Sequence, residues 1–180
     1  MIKQTTNHKA LKIEKVASSQ LHKLQEISRQ TFHETFASQN SEEDMAKYLD
    51  EGLSLHKLHM ELDSLSSAFY FAYIEDQIAG YLKVNWGDSQ TENHDKDAFE
   101  IERIYILKSF QGSGIGQSLF DFSLKLAKDR GANYVWLGVW EFNHKARSFY
   151  TKNGFTEFGK HIFNLGQDRQ TDVLMKLQLK

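Results

Sequence analysis

The stretch Phe99 to Arg130 decides the fold, and it begins with FEIERIYIL at Phe99–Leu107. These β-branched and aromatic residues favour a strand. QGSGIG follows at Gln111–Gly116, and apolar residues then recur at helical spacing as far as Arg130. Three glycines at alternate positions allow backbone conformations that a Cβ would forbid and let a ligand approach the main chain. The pattern predicts a strand, a turn and a helix whose free N–H groups form an anion site suited to a phosphate.

This glycine-rich turn has two other interpretations. Glycines between a strand and a helix are common, so a plain tight turn is one alternative. A dinucleotide-binding site is the other, but its fingerprint reads Gly-x-Gly-x-x-Gly in an early βαβ unit. Here the spacing is Gly-x-Gly-x-Gly, late in the chain and led by Gln111. The spacing therefore argues against the dinucleotide site.

Composition narrows the class of protein. The 180 residues favour one domain, 1–180, with a substantial core. A net charge of -2 gives no basic surface for nucleic acid, and the absence of cysteine excludes disulfides and thiolate chemistry. The sequence has neither the apolar length of a membrane span nor a signal-peptide core. We therefore expect a cytoplasmic protein without nucleic-acid or membrane partners.

Apolar periodicity predicts the remaining elements, which together make a mixed α/β sheet flanked by helices. In chain order they are a strand at Leu11–Val16, a helix capped by Ser18-Ser19 and reaching Phe36, a helix starting at Ser41, a helical segment at Leu53–Leu65, a hairpin of Phe69–Ile74 and Ile78–Val84, an exposed mobile loop at Asn85–Asp97, a strand at Tyr134–Val139, and a final strand pair at Phe155–Phe158 and Thr171–Leu179.

Two motifs resemble one protein family. Gln111-x-x-Gly114-x-Gly116 is similar to the acetyl-CoA signature of the GNAT superfamily of N-acetyltransferases. NHKARSFYTKNGF at Asn143–Phe155 is similar to its other hallmark, Asn-x-x-Ala-x-x-Phe-Tyr-x-x-x-Gly-Phe. The resemblance implies a GNAT-type mixed, mostly antiparallel sheet with two central parallel strands that splay apart. It also implies acetyl-CoA as cofactor, coenzyme A as product, and a pantetheine arm lying in the gap between those strands.

The resemblance also assigns cofactor-binding residues. The backbone of Ile104, Tyr105 and Ile106 would pair with the pantetheine arm like an added strand. Asn143 would hydrogen-bond the same arm, although a loop asparagine is by itself more often a helix cap. Lys145 and Lys152 could meet the nucleotide phosphates, but surface lysines usually have no such role. The residues assigned to the pyrophosphate are Gln111, Gly112, Ser113, Gly114, Ile115, Gly116 and Gln117.

Three residues are catalytic candidates. Tyr150 is the candidate proton donor, because a phenol ordinarily titrates near pH 10, stays protonated at neutral pH and can protonate a leaving thiolate. The alternative for Tyr150 is a core aromatic with a satisfied hydroxyl. Glu100 and Glu102 alternate on one strand and leave the same face, where either could be the base or bind substrate. Counting back from Gln111, the resemblance puts Glu100 where some superfamily members carry a base carboxylate. The alternative is that both hold a cationic substrate or pair with Arg103, while many superfamily members use water relays instead.

A pair of histidines and an acidic run are two further candidates for binding sites. His56 and His59 have helical spacing, but no nearby carboxylate or cysteine completes a zinc site, so no metal is predicted. The acidic run Glu42–Asp44 is typical of a helix start. Together with Glu34 it could instead edge a site for a cationic acceptor, so Glu34 joins Glu100 and Glu102 as a substrate-binding candidate.

Five short stretches of sequence resemble the bacterial PaiA-type spermidine/spermine N-acetyltransferases. This resemblance implies a polyamine acceptor. Two alternatives stay open: an acetyltransferase for a peptide, amino acid or drug amine, and a catalytically silent acyl-CoA-binding regulatory module. Exposed strand edges and aromatics in the C-terminal strand pair are compatible with a homodimer. The five stretches are Thr31–Phe36, Ile78–Lys83, Ile101–Tyr105, Leu137–Glu141 and Gln170–Asp172.

Overall fold

A computed structural model describes residues 10–92, 95–165 and 168–179. The strands and helices are, in chain order, β1 Leu11–Lys15, α1 Leu21–Phe36, α2 Glu42–Glu51, α3 Leu55–Asp63, β2 Ser67–Ile74, β3 Gln77–Trp86, β4 Ala98–Ile106, α4 Ile115–Asp129, β5 Tyr134–Trp140, α5 His144–Lys152, β6 Thr156–Leu165 and β7 Asp168–Gln178.

The strands form one sheet in the order β1-β2-β3-β4-β5-β7-β6. All neighbours are antiparallel except β4 and β5. This parallel pair is short, since only Ala98–Glu100 pairs with Tyr134–Trp136. Beyond Glu100 the two strands separate and leave a gap. The predicted mixed, mostly antiparallel sheet with splayed central strands is confirmed.

Helices cover both faces of the sheet because strand residues alternate between the faces. On one face, Phe69, Phe71 and Tyr81 pack in a cluster with apolar residues of α1, α2 and α3. On the other face, Leu82 and Phe99 pack in a cluster with apolar residues of α4 and α5. The gap between β4 and β5 therefore lies in a sheet that is supported on both sides.

Helix starts agree only in part with the expected caps. The Ser41 hydroxyl accepts from Asp44 N at 3.1 Å and caps α2 as expected. The expected cap at Ser18-Ser19 is wrong, because those residues form a 3₁₀ turn ahead of α1. There the Gln20 side chain accepts from the main-chain N–H of Ala17 at 3.0 Å.

The loop after β3 differs most from expectation. Asn85 belongs to β3 and is fully buried. Gln90 Oε1 accepts from Trp136 Nε1 on β5 at 2.7 Å, and the Glu92 carboxylate contacts His161 Nδ1 on β6. The expectation of an exposed, mobile loop is therefore wrong for these residues, since polar contacts hold the segment across the gap between β4 and β5. Residues 93 and 94 lie outside the described residues.

Candidate active site

The glycine turn between β4 and α4 presents its main chain to solvent. Gly112 and Gly114 have φ of +82° and +84°, a left-handed conformation that favours glycine. A Cβ at either position would meet no atom within 4 Å, so the space beside the turn is open. Gly114 begins α4 without a side-chain cap, so the first N–H groups of the helix have no intrahelical acceptor. The turn therefore fits a pyrophosphate bound through main-chain N–H groups.

The polar side chains of the turn are already engaged with the protein. Gln111 Nε2 donates to Ile106 O at 3.3 Å, and Ser113 Oγ donates to Phe110 O at 2.5 Å. Gln117 Nε2 in α4 donates to the side chain of Asp121 one turn further along the same helix and to that of Asn153 at the end of α5. An anion at the turn would therefore be bound mainly by main-chain N–H groups.

The two candidate lysines occupy different places. Lys145 Nζ lies 3.4 Å from Gln111 Oε1 and so stands beside the turn. Lys152 is exposed on α5 and faces a shallow hollow that also contains Arg147 and Glu157. Lys145 is thus better placed than Lys152 to meet a phosphate at the turn.

A cavity of about 250 Å³ fills the gap between β4 and β5. Ile104 and Tyr105 line it, whereas Ile106 lies at the turn, 3.9 Å from an ideal Cβ on Gly116. The main chain of Ile104, Tyr105 and Ile106 pairs with β3, and no described strand pairs with it on the side of β5. This free backbone edge matches the place assigned to the pantetheine arm.

Glu100 lies at the point where β4 and β5 separate, and only 2% of the residue is exposed. Its Oε2 accepts from Asn85 Nδ2 at 2.8 Å and from Thr91 N at 2.9 Å, while its Oε1 accepts from the Thr91 hydroxyl. Burial raises the pKa of Glu100 to about 7, the charge of Glu102 adds to the rise, and the hydrogen bonds oppose it. A carboxylate with this pKa suits general-base catalysis at neutral pH.

Glu102 has a different environment from Glu100. It is the extra residue of a β-bulge, since Lys83 pairs with Arg103 and Val84 pairs with Ile101. Its carboxylate contacts Lys83 Nζ at 2.5 Å and Arg103 Nη2 at 2.9 Å. Burial disfavours its charge, but Arg103 and Lys83 more than offset this and hold the pKa of Glu102 at about 2. Glu102 is therefore a paired anion, as the alternative interpretation expected.

The residues that hold these carboxylates were not anticipated from sequence. Asn85 Nδ2 donates to Glu102 Oε2 at 2.6 Å as well as to Glu100, and Asn85 Oδ1 accepts from Ser67 Oγ at 2.8 Å. Glu61 on α3 binds Arg103 through two contacts of 2.9 and 3.0 Å and Lys83 through one of 3.0 Å. The alternation of β3 offers a signal, because it puts Lys83 and Asn85 on the same face as the buried Tyr81.

Tyr150 lines the cavity, and only 6% of the residue is exposed. Its ring packs against Phe120, Phe149 and Phe155 with centroid distances of 5.3 to 6.3 Å. Burial raises the pKa of Tyr150 well above its ordinary value, so the phenol stays protonated. Within the described part of the chain its hydroxyl has no hydrogen-bond partner. That hydroxyl is therefore available to a bound molecule.

Asn143 also lines the cavity, but its side-chain oxygen has a structural role. Asn143 Oδ1 accepts from Ala146 N at 3.1 Å and caps α5. The cap alternative is therefore confirmed for the oxygen.

The acids beside the cavity are not those expected from the first helices. Glu34 is exposed and lies outside the cavity lining, where its Oε2 accepts from Lys108 N at 2.8 Å. Glu92 and Asp172 line the cavity instead, close to His161. Burial raises the pKa of Asp172, and the neighbouring His161 opposes the rise. An ideal Cβ on Gly138 would lie 3.5 Å from Asp172 Oδ2, so this carboxylate reaches over β5.

The described residues also bear on metal binding and on membrane insertion. They contain no group of three histidine, cysteine, aspartate or glutamate residues arranged to hold a metal ion. His59 instead lies 3.5 Å from Asp63 on its own helix. In the described ranges no helix combines the length and apolar character needed to cross a membrane.

Comparison with known proteins identifies the family. The sequence model of the Acetyltransferase (GNAT) family matches residues 21–155. An uncharacterized N-acetyltransferase in the pepI 3' region of Lactobacillus delbrueckii subsp. lactis is 44% identical over 169 residues, covering 94% of this chain and 98% of the relative. A spermidine N(1)-acetyltransferase of Thermoplasma acidophilum is 26% identical over 150 residues, covering 81% and 88%.

Solved structures agree on the fold. The PaiA N-acetyltransferase of Thermoplasma acidophilum, crystallised with coenzyme A, superposes with a TM-score of 0.77 at 24% identity, covering 94% of this chain and 99% of that one. The family match spans both the glycine turn and the Tyr150 motif. The chain belongs to the GNAT family and is an acetyl-CoA-dependent N-acetyltransferase.

Proposed function

We propose that this enzyme acetylates a primary amine of a polyamine, such as spermidine or spermine, by direct attack in a ternary complex. The observation that carries the proposal is the surplus of negative charge in the cavity. Glu100 and Asp172 line it, whereas the basic residues that line it are engaged by other acids, Arg103 by Glu61 and Glu102, and His161 by Glu92. A cavity lined by one sign of charge concentrates ligands of the opposite sign.

The rest of the cavity wall suits the carbon chain of a polyamine. Phe36, Tyr48 and Trp140 line the side formed by the helices and the end of β5. Aromatic faces attract ammonium groups and pack against methylene groups. Asp172 pairs with Trp140 in the register of β5 and β7, whereas Glu100 pairs with Trp136, four residues earlier on β5. Acidic groups thus lie at two levels of the cavity, as an acceptor with more than one amine requires.

The chain supplies each role that acyl transfer needs. Acetyl-CoA supplies an acetyl group activated as a thioester. The glycine turn binds its pyrophosphate, and the free edge of β4 at Ile104–Ile106 pairs with its pantetheine arm. Glu100 accepts a proton from the acceptor amine, and Tyr150 donates one to the departing sulfur.

Two proteins similar to this chain support a polyamine acceptor. The spermidine N(1)-acetyltransferase of Thermoplasma acidophilum matches most of the chain at 26% identity, and its PaiA neighbour shares the fold. A second candidate is the N-terminal amine of a peptide. An N-alpha-acetyltransferase of Sulfolobus acidocaldarius is 34% identical over 114 residues, covering 59% of this chain and 68% of the relative.

The test is thiol release from acetyl-CoA across polyamines, amino acids, aminoglycosides and short peptides. We expect turnover with spermidine and spermine. Replacing Asp172 with Asn should raise KM for spermidine about 10-fold, equivalent to about 1.4 kcal/mol, with a smaller effect on a monoamine. Glu43→Gln is the control, because Glu43 lies in the first turn of α2 outside the cavity lining. Turnover of peptides alone would replace the polyamine with the second candidate.

A further inference from the structure

The Glu100 carboxylate is nearly closed off from solvent by the groups that hold it. The carboxylate is 2% exposed, and its Oε2 already accepts from two N–H groups, those of Asn85 and Thr91. Its Oε1 accepts from the Thr91 hydroxyl. Thr91 is itself exposed and lines the cavity. Both residues line the cavity, but Thr91 is the exposed one, so an amine in the cavity contacts the Thr91 hydroxyl more readily than the Glu100 carboxylate.

We propose that Thr91 is a catalytic residue whose hydroxyl relays a proton from the acceptor amine to Glu100. This inference rests on the proposed role of Glu100 as the base. A hydroxyl is suited to the task because it donates one hydrogen bond and accepts through two lone pairs. Its donor position is taken by Glu100 Oε1, so its lone pairs are free to accept from an ammonium group.

The proton transfers balance as follows. The acceptor enters as an ammonium ion and gives one proton to Thr91 Oγ while the Thr91 hydroxyl proton passes to Glu100 Oε1. The freed nitrogen lone pair forms the C–N bond to the acetyl carbon. The C–S bond breaks, its electron pair stays on sulfur, and sulfur takes the proton of Tyr150. The acetylated nitrogen returns a proton to the Tyr150 oxygen, and Glu100 releases its proton to solvent.

The surroundings hold Thr91 in place for this relay. The Thr91 main-chain N–H binds Glu100, so the residue stays anchored independently of its hydroxyl. On either side, Gln90 contacts Trp136 and Glu92 contacts His161. The groups that face Glu100 are Glu102 from its own strand and Asn85 from β3, and Lys83 and Arg103 neutralise Glu102 behind them.

Replacing Thr91 with Val tests the relay, since valine keeps the side-chain shape and the main-chain N–H but removes the hydroxyl. We expect kcat/KM for spermidine to fall about 100-fold, the lower end of the range for general acid–base catalysis. The matched control Thr91→Ser keeps the hydroxyl and should keep most of the activity. The Kd of acetyl-CoA should be the same in wild type, Thr91→Val and Thr91→Ser.

A second readout separates a relay from a structural role. Fluorinated spermidine has less basic amines, a large share of which is already neutral at the assay pH and needs no first deprotonation. The Thr91→Val defect should therefore shrink with this acceptor. An equal defect with both acceptors, or none with either, overturns the relay.

Glu100→Gln, measured beside these variants, distinguishes failure of the relay from failure of the base. An inactive Glu100→Gln with an unaffected Thr91→Val keeps Glu100 as base and rejects the relay. An active Glu100→Gln rejects both. If the panel selects another amine instead of a polyamine, the same variants are assayed with that amine and its fluorinated analogue, and the same outcomes decide.

Discussion

The two halves of the active site are built in different ways. The glycine turn at Gln111–Gly116 is contiguous and exposed, and it offers the main chain while its polar side chains bind the protein. The carboxylate cluster consists of the buried Glu100 and Glu102 and the groups that hold them. These groups come from α3, β3, β4 and the loop after β3. Cofactor binding therefore depends on local backbone conformation. Acid–base chemistry depends on burial and charge, which long-range contacts set.

The largest expected effect separates chemistry from cofactor binding. Glu100→Gln removes the proposed base, so we expect kcat/KM for the acceptor to fall about 1000-fold at pH 7.5. The Kd of acetyl-CoA should not change, because the glycine turn is not altered. Isothermal titration and steady-state kinetics measure both quantities. A loss of cofactor affinity equal to the loss of rate would mean that the two halves do not work separately.

The next effect concerns the stability of the buried cluster. Lys83→Met leaves Glu102 and Glu61 to share Arg103, so we expect the free energy of unfolding to fall by about 3 kcal/mol. Urea denaturation at pH 7 measures the change. Lys12→Met is the control, because Lys12 is exposed and its ion pair is with Glu14, which is also exposed. An unchanged stability in Lys83→Met would show that the cluster does not need this cation.

The pH dependence of stability tests the same cluster. The pKa of Glu102 is depressed to about 2, so its ionisation stabilises the fold above its unfolded-state pKa near 4.5. That contribution is lost as pH falls from about 4.5 towards 2. Removing Lys83 weakens the depression, so the acid limb of stability against pH should be shallower in Lys83→Met than in wild type.

The smallest expected effect is at the glycine turn. Gly114→Ala forces a left-handed conformation on a residue with a Cβ, at a cost of about 1 to 2 kcal/mol. We expect acetyl-CoA to bind about 10-fold more weakly, with little change in the pH profile of kcat/KM. Gly116→Ala is the matched control, because its backbone is not left-handed and its nearest contact would be 3.9 Å. Equal effects of the two substitutions would contradict this account of the turn.

The same contrast explains what the sequence could predict. Gly112, Gly114 and Tyr150 stand in contiguous motifs, and Ser41 caps a helix through a residue three positions away. Local patterns of this kind predicted the sheet, the turn and most of the helices. The loop after β3 was misjudged because its polar residues find partners on β5 and β6, far along the chain.

The environments of the two carboxylates could not be predicted from local sequence pattern. Alternation placed Glu100 and Glu102 together but gave no sign of the bulge that commits Glu102 to Lys83 and Arg103. Glu61 is 42 positions from Arg103, and the pair forms only when α3 packs against the sheet. The pKa values of Glu100 and Glu102 diverge because of these distant contacts, which the alternation of the strand does not predict.

The dependence of kcat/KM for spermidine on pH tests the central claim most directly. It is measured for the wild-type enzyme with saturating acetyl-CoA and varied spermidine. Glu100 accepts a proton only when it is ionised, and its pKa is about 7. We therefore predict that kcat/KM rises as pH increases through about 7 and then levels off. A rate that keeps rising towards the pKa of the free amine, near 10, would contradict the account, because the solution would then deprotonate the acceptor instead of Glu100.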